Sequence, residues 1–174
     1  MTSSARKRTV TWGFPFAALF AFLWHFLPLT MNWSSSVPIG VYWLTANPNA
    51  PYLTFCMTRE VLTQAKAHGY QPLPGSCSGG TSWVLKPNLA RAHEVTFNRR
   101  GFFVDHQWLP NTTPLAKDRF GHSLPHYPFG TYFVSNQEVW VVSSYNQRSY
   151  DSRYFGPISR SSVVSYARPL LVLP

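Results

Sequence analysis

The chain has 174 residues, a length that suits one compact domain together with a membrane anchor. Its composition, with 17% aromatic residues, 12% charged residues and 15 prolines, is typical of a strand-rich domain with many turns and excludes a disordered chain. The net charge of +9 would suit a nucleic-acid-binding protein, but the basic residues form no stripe along the sequence, so we expect no nucleic-acid partner.

An uncharged apolar segment near the N-terminus, residues 10–29, is long enough to cross a bilayer as a helix, which takes about 20 apolar residues. A basic cluster at 6–8 precedes it and should stay in the cytoplasm by the positive-inside rule. A cleaved signal peptide is the alternative, but it needs a shorter apolar core and a small-residue cleavage site, which residues 31–33 do not offer. The sequence therefore predicts a cytoplasmic N-terminus (1–9), a single-pass anchor (10–29) and a domain on the outer side (30–174).

The part after the anchor alternates short apolar runs with turn-forming residues. One helix is predicted at 58–68, where Thr58 can cap the first turn and Gly69 can end the last. The other runs predict β-strands at 41–44, 52–55, 83–86, 93–97, 101–104, 131–134, 139–142, 162–166 and 170–172.

The run at 139–142 is apolar on both faces, which predicts a central strand, and residues 110–130 form a long irregular excursion over one end of the sheet. Strands and helices do not alternate along the chain. The pattern therefore predicts a mainly β fold with one short surface helix and excludes a doubly wound parallel sheet.

The two cysteines, Cys56 and Cys77, allow a disulfide in a domain outside the cytosol. Two buried free thiols are the alternative. A bridge would close a loop of about 20 residues and contribute about 3 kcal/mol to stability. Two cysteines this far apart do not indicate a zinc site.

A candidate nucleophile, Ser36, lies in the polar stretch that follows the apolar segment. Pro38 stiffens the backbone beyond it and restricts Val37, and Gly40 permits close approach of the backbone. A serine on such a rigid turn can present its hydroxyl and its N–H toward one point. The alternative is a plain polar linker between anchor and domain.

Lys86 is the candidate base that a serine nucleophile needs. It is the only one of the four lysines that lies in an apolar run. Burial favours the neutral amine, and only a neutral amine can accept the proton. The alternative is a strand-end lysine whose amine reaches water.

A third segment, 149–157, contains one of the six acidic residues, Asp151, at same-face strand spacing from Arg153. An ion pair between them could hold Ser149 close to the lysine amine. The alternative is an exposed pair on a surface turn, worth less than about 1 kcal/mol.

A metal site is not expected from the histidines. His122 and His126 have helical ligand spacing, but Gly121, Pro125 and Pro128 disfavour a helix there. No glycine-rich phosphate loop is present either, and we expect no cofactor.

Three segments taken in order, 36–42, 75–86 and 149–157, resemble the TraF-type peptidases of conjugative transfer systems, which belong to the signal peptidase superfamily. The first reads Ser-Val-Pro-Ile-Gly-Val-Tyr, the second runs from Gly-Ser-Cys to Val-Leu-Lys, and the third contains Asp-Ser-Arg-Tyr-Phe-Gly-Pro. The resemblance extends over nearly the whole chain. It implies a β-rich domain of the signal-peptidase/LexA type.

The resemblance also implies residue roles. Ser36 would be the nucleophile, Lys86 the general base and Asp151 a required acidic residue, paired with Arg153. Ser149 matches the serine that orients the lysine, and Ser34 matches the hydroxyl that helps the oxyanion hole. Cys56 and Cys77 match a cysteine pair common in TraF-type members.

Two details depart from general signal peptidases. Those enzymes have two residues between the serine and the proline, whereas Ser36 has one and Ser35 has two, so Ser35 is a lesser candidate nucleophile. They also carry Gly-Asp before a valine after the lysine, where this chain has His93, Glu94 and Val95.

The implied function is that of a membrane-anchored Ser-Lys peptidase. It would act at the bacterial inner membrane, with a periplasmic catalytic domain, on a membrane-bound pilin precursor of a conjugative type IV secretion system. Either hydrolysis or cyclising transpeptidation could complete the reaction. The alternatives are a general signal peptidase that cleaves exported preproteins and a non-catalytic β domain that serves as an assembly scaffold.

Overall fold

The computed structural model describes residues 27–70 and 73–173. Residues 10–26 of the predicted anchor lie outside this range, and its last residue, Leu29, begins a β-strand. Within the described ranges, no helix has both the length and the apolar character needed to cross a bilayer.

The described chain is mainly β, as predicted, but it has two short α-helices where the sequence predicted one. The helices are α1 (Arg59–Ala67) and α2 (Ser152–Phe155), and a 3₁₀ turn follows at Arg160–Ser162. The strands are β1 (Leu29–Asn32), β2 (Gly40–Thr45), β3 (Tyr52–Phe55), β4 (Val84–Pro87), β5 (Glu94–Asn98), β6 (Gly101–Val104), β7 (Gln107–Trp108), β8 (Gly130–Phe133), β9 (Glu138–Val139), β10 (Ile158–Ser159) and β11 (Val163–Val172).

The strands form three antiparallel sheets. The largest has the order β1-β2-β11-β3-β4, so β1 and β4 are its two edges. A second sheet has the order β7-β6-β5-β8, and β9 pairs with β10. The strands predicted at 93–97 and 101–104 correspond to β5 and β6, which form a hairpin paired from Val95↔Val104 to Asn98↔Gly101.

Helix α1 agrees closely with the prediction. The Thr58 side chain accepts a hydrogen bond from the N–H of Val61, and Gly69 follows the C-cap His68 with a positive φ of 70°. Its buried residues are Leu62 and Ala65, so the helix lies on the surface with a narrow apolar side against the domain.

Strand β11 joins the last two predicted strands into one. Its register against β2 shifts between Pro169 and Leu171. Proline has no N–H to donate to a neighbouring strand, which explains why the ladder is irregular there and why the sequence suggested a break.

The predicted central strand at 139–142 is buried as expected but is not a strand throughout. Its side chains alternate between two cores, with Val139 and Val141 packing against the first sheet and Trp140 and Val142 against the second. Only Val139 belongs to β9. After Val139 the backbone forms hydrogen bonds with side chains and loops. One of them runs from the N–H of Val141 to Ser152 Oγ.

The excursion predicted at 110–130 is irregular up to β8, with an isolated bridge between Lys117 and Ser123. It packs against α1, since Leu124 shares a buried cluster with Ala65, Tyr150 and Tyr154. The excursion therefore forms a wall beside both helices.

Cys56 and Cys77 form a disulfide with a sequence separation of 21 residues. It ties the end of β3 to the loop before β4, across the insertion that contains α1. The bridge favoured by the sequence is confirmed.

Replacing both cysteines, Cys56→Ser with Cys77→Ser, should lower the free energy of unfolding by about 3 kcal/mol, because the open chain regains the entropy of the closed loop. Urea unfolding of the full chain measures this loss. The reduced wild-type chain is the matched control and should unfold with the double variant. Equal midpoints for the double variant and the oxidised wild type would contradict the prediction.

Candidate active site

The turn between β1 and β2 presents Ser36, and Asn32 organises this turn. The Asn32 amide is buried and donates to the carbonyls of Ser34, Val37 and Pro38 at 2.8, 3.1 and 3.1 Å. Its Oδ1 accepts from the N–H of Ser34 at 3.1 Å. One side chain thus binds three carbonyls and one N–H of the turn, which holds the serine backbone in place.

Strand β4 brings Lys86 to the same point. The lysine Nζ donates to Ser36 Oγ at 2.7 Å and to Ser149 Oγ at 2.8 Å. Ser149 Oγ in turn donates to Ser36 Oγ at 3.2 Å. The three groups form a closed triangle, and the lysine is only 5% exposed.

Burial lowers the pKa of Lys86 from its ordinary 10.5 to about 8. The nearby Arg153 also lowers this pKa, whereas the Asp151 carboxylate raises it. With a pKa near 8, about a tenth of the amines are neutral at pH 7. The side chain can therefore act as a base near neutral pH, which an exposed lysine cannot do.

An ion pair between Asp151 and Arg153 lies behind the lysine, and both residues are 0% exposed. The guanidinium donates to both carboxylate oxygens at 2.8 Å. It also donates to the carbonyls of Gln147 and Ser149, each at 2.9 Å, and of Asn111 at 3.2 Å. The pair thereby fixes the loop that carries Ser149.

Burial opposes the charge of Asp151, but the guanidinium of Arg153 and the hydrogen bonds to the carboxylate hold its pKa below the ordinary value. The pKa of Arg153 is raised by the same pair, again against the effect of burial. Both partners are therefore charged, and at the Lys86 amine the carboxylate raises the pKa more than the guanidinium lowers it.

Sequence reasoning missed the residues that connect the serine turn to the rest of the domain. Ser143 Oγ donates to the carbonyl of Ser36, while its N–H donates to Asp151 Oδ2 at 3.0 Å. Asn146 donates to Ser35 Oγ at 2.8 Å. The position of Ser143 directly after a buried apolar run is the only sequence signal that could have drawn attention to it.

The other two serines of the turn have different partners from Ser36. Ser35 Oγ accepts from Asn146, whereas Ser36 Oγ accepts from the lysine amine. Ser34 Oγ donates to Asn32 Oδ1 at 2.9 Å and lines the cleft described next. To reach a substrate oxygen, the Ser34 hydroxyl must rotate away from this acceptor.

A cleft of about 750 Å³ opens over Ser36 and Lys86. Residues from both edges of the largest sheet line it, β1 on one side and β4 on the other. Lys117, Arg119 and Arg148 also line it. Its apolar wall is formed by Met57, Tyr70, Leu115, Leu124, Tyr150 and Tyr154. The arrangement suits an extended peptide with apolar side chains.

The two histidines with helical spacing have different neighbours in the structure. The ring of His126 stacks on Phe129 at 4.1 Å, whereas Nδ1 of His122 lies 3.0 Å from Asp118 Oδ2. Residues 121–129 contain no helix, as the prolines and glycine indicated.

Comparison with known proteins identifies the family to which the chain belongs. The family model for "Signal peptidase, peptidase S26" matches residues 92–171, which include Asp151 and Arg153. A plasmid transfer protein TraF of Escherichia coli is 34% identical over 145 residues, 81% of each chain. A probable conjugal transfer protein TraF of Sinorhizobium fredii is 28% identical over 146 residues, 81% of this chain and 76% of the relative. The chain belongs to the TraF-type family of conjugative transfer peptidases.

Substituting Asp151→Ala should destabilise the domain by about 3–5 kcal/mol, because it leaves the guanidinium of Arg153 buried without its partner. Urea unfolding of the full chain gives the measurement. Glu138→Ala, which removes an exposed carboxylate, is the matched control and should stay within about 0.5 kcal/mol of wild type. A loss below about 1 kcal/mol for Asp151→Ala would show that the buried pair is not structural.

Proposed function

We propose that this TraF-type peptidase is a membrane-anchored serine endopeptidase with a Ser36–Lys86 dyad, and that it processes a pilin precursor in a conjugative type IV secretion system. The observation that carries the proposal is the 2.7 Å contact between Lys86 Nζ and Ser36 Oγ, made by an amine that is almost fully buried. The signal peptidase match and the TraF relatives support the reaction class.

In the first step, neutral Lys86 takes the proton of Ser36 as the serine oxygen attacks a peptide carbonyl. The Ser149 hydroxyl, 2.8 Å from Nζ, holds the amine in line with its proton donor. The lysine ammonium then gives the proton to the leaving amine as the peptide bond breaks. An ester between Ser36 and the substrate remains, and the lysine is neutral again.

The oxyanion of the tetrahedral intermediate needs donors near Ser36. The N–H of Ser36 is one, and the Ser34 hydroxyl becomes a second if it turns from Asn32 toward the cleft. One such donor lowers the barrier by about 3–4 kcal/mol. The Asn32 network suits this role, because it fixes the backbone while leaving the Ser34 side chain exposed.

The ester has two possible fates. Attack by water gives a linear product and free Ser36. Attack by the amino terminus of the same substrate forms a new peptide bond, releases the serine and closes a ring. The two products differ in mass by one water, so the fate of the ester can be measured directly.

Substrate recognition is explained by the edges of the largest sheet. Strand β4 pairs with β3 on one side, and residues Ser82 to Lys86 line the cleft on the other. An extended substrate segment can add to β4 as a further strand, so that its backbone is recognised directly and its side chains enter small pockets. The arrangement suits a domain of the signal-peptidase/LexA type.

A membrane location is supported by exposed apolar side chains. Met31 and Leu171 both pair with Val41, so all three lie on one face of the largest sheet. Exposed apolar residues of this sheet and its flanks include Leu27, Met31, Trp33, Trp43, Leu170, Leu171 and Leu173. Since Met31 and Trp33 also line the cleft, an anchor formed by the apolar segment that precedes β1 would place the periplasmic cleft beside a membrane-bound substrate at the inner membrane.

Processing should accelerate with pH through about 8 and level off above, because Lys86 must be neutral to accept the proton. Below the pKa, kcat/KM should fall about tenfold per pH unit. Rates of precursor cleavage by the full-length enzyme measure this. Ser36→Ala and Lys86→Met should abolish cleavage, while Lys66→Met, a change at an exposed lysine of α1, should keep the wild-type profile. Cleavage that survives both dyad variants would overturn the Ser36–Lys86 dyad.

The mass of a co-expressed pilin should distinguish the products. With active enzyme, the pilin should be lighter than the trimmed linear chain by one water, since ring closure forms a peptide bond in place of hydrolysis. With Ser36→Ala it should keep the precursor mass. A linear trimmed mass would reject cyclisation but retain the peptidase, and cleavage of unrelated exported preproteins would favour a general signal peptidase.

A further inference from the structure

A cluster of metal-ligating side chains lies outside the dyad, where the excursion meets α1. His68 caps the C-terminal end of the helix, and Asp118 and His122 belong to the excursion. We propose that these three residues bind a divalent transition metal ion, with Zn²⁺ the ion that best fits two imidazoles and one carboxylate.

The ligand atoms already converge. Nδ1 of His68 lies 2.9 Å from Asp118 Oδ2, and Nδ1 of His122 lies 3.0 Å from the same oxygen. All three residues offer ligand atoms within 4.8 Å of one another. Ligands about 2.0–2.1 Å from a tetrahedral zinc stand roughly 3.3 Å apart, so small side-chain movements suffice to admit the ion.

The carboxylate is held in position for this purpose. Its side chain is 0% exposed, and Oδ1 accepts from the N–H groups of Phe120 and His122 at 2.8 and 2.9 Å. Burial opposes its charge, but hydrogen bonds from His68, Phe120 and His122 hold the pKa of Asp118 below the ordinary range. Oδ2 is thus a fixed anionic ligand, directed at both imidazoles.

The imidazoles supply mobility and access. His68 is partly buried and its ring stacks near Tyr70, with centroids 6.2 Å apart. The His122 side chain is 58% exposed, so an ion can enter from solvent and water can complete its coordination. When each Nδ1 binds metal, the proton of that neutral ring moves to Nε2. Two N–H···O bonds are thereby replaced by three bonds to the ion.

The position of the cluster indicates what the ion would do. Asp118 and its neighbours Lys117 and Arg119 line the cleft, but the cluster makes no contact with Lys86 or Ser36 among the described hydrogen bonds. The ion would fasten the excursion to α1 and so set the shape of one cleft wall. This role is independent of the proposed dyad chemistry.

The test uses the full-length chain in detergent, without a polyhistidine tag and after treatment with a chelator. Calorimetric titration with Zn²⁺ should show one ion per chain, and Co²⁺ should give the intense visible absorption of a tetrahedral site. His122→Ala should weaken Zn²⁺ binding more than about 100-fold, since a lost ligand costs at least as much as a lost outer partner.

Two controls separate this result from general effects. His126→Ala removes an exposed histidine of the same excursion and should bind as wild type. Ser36→Ala should also bind normally, which makes the outcome independent of catalysis. Zn²⁺ should raise the unfolding temperature of wild type and His126→Ala. His122→Ala should still show an unfolding transition, because it is folded, but Zn²⁺ should not shift that transition, because the site is lost. Absence of saturable one-to-one binding, or wild-type affinity in His122→Ala, would overturn the proposal.

Discussion

The burial of one amine is the constraint on which the candidate site depends. Lys86 lies at the edge of the largest sheet, where water would normally reach its amine, yet the serine turn and the Ser149 loop cover it. Burial lowers the lysine pKa. The two serine hydroxyls provide the hydrogen bonds that the buried amine can no longer form with water. The neutral amine therefore depends on how the surrounding segments are held, not on the lysine alone.

Those segments are held by a second, more deeply buried interaction. The guanidinium of Arg153 binds the Asp151 carboxylate and the carbonyls of the loop that carries Ser149. Through Ser143, the same carboxylate is linked to the carbonyl of Ser36. The ion pair is thus central to the geometry without touching Ser36, and at the lysine the carboxylate raises the pKa more than the guanidinium lowers it.

Features with local signals could be predicted from the sequence, including capped helix α1, most strands and the buried run at 139–142. The rest depends on distant partners. The backbone of the run at 139–142 bonds to the Ser152 side chain of α2. The periodicity of apolar residues in the sequence cannot reveal such a contact. The contact between Ser143 and Ser36 joins residues 107 apart. In the same way, sequence spacing suggested that His122 and His126 could act together, whereas in the fold His122 lies beside Asp118.

The long sequence separations within the triangle also affect the order of events during folding. Its three contacts join residues 50, 63 and 113 positions apart, so each closes a long loop, and contacts of this kind make folding slow. In an unfolded chain the amine is solvated and keeps its ordinary pKa of 10.5, which leaves almost no unprotonated form at neutral pH. The lowered pKa and the contact with Ser36 are therefore properties of the folded domain, and both arise only when segments far apart in the chain have come together.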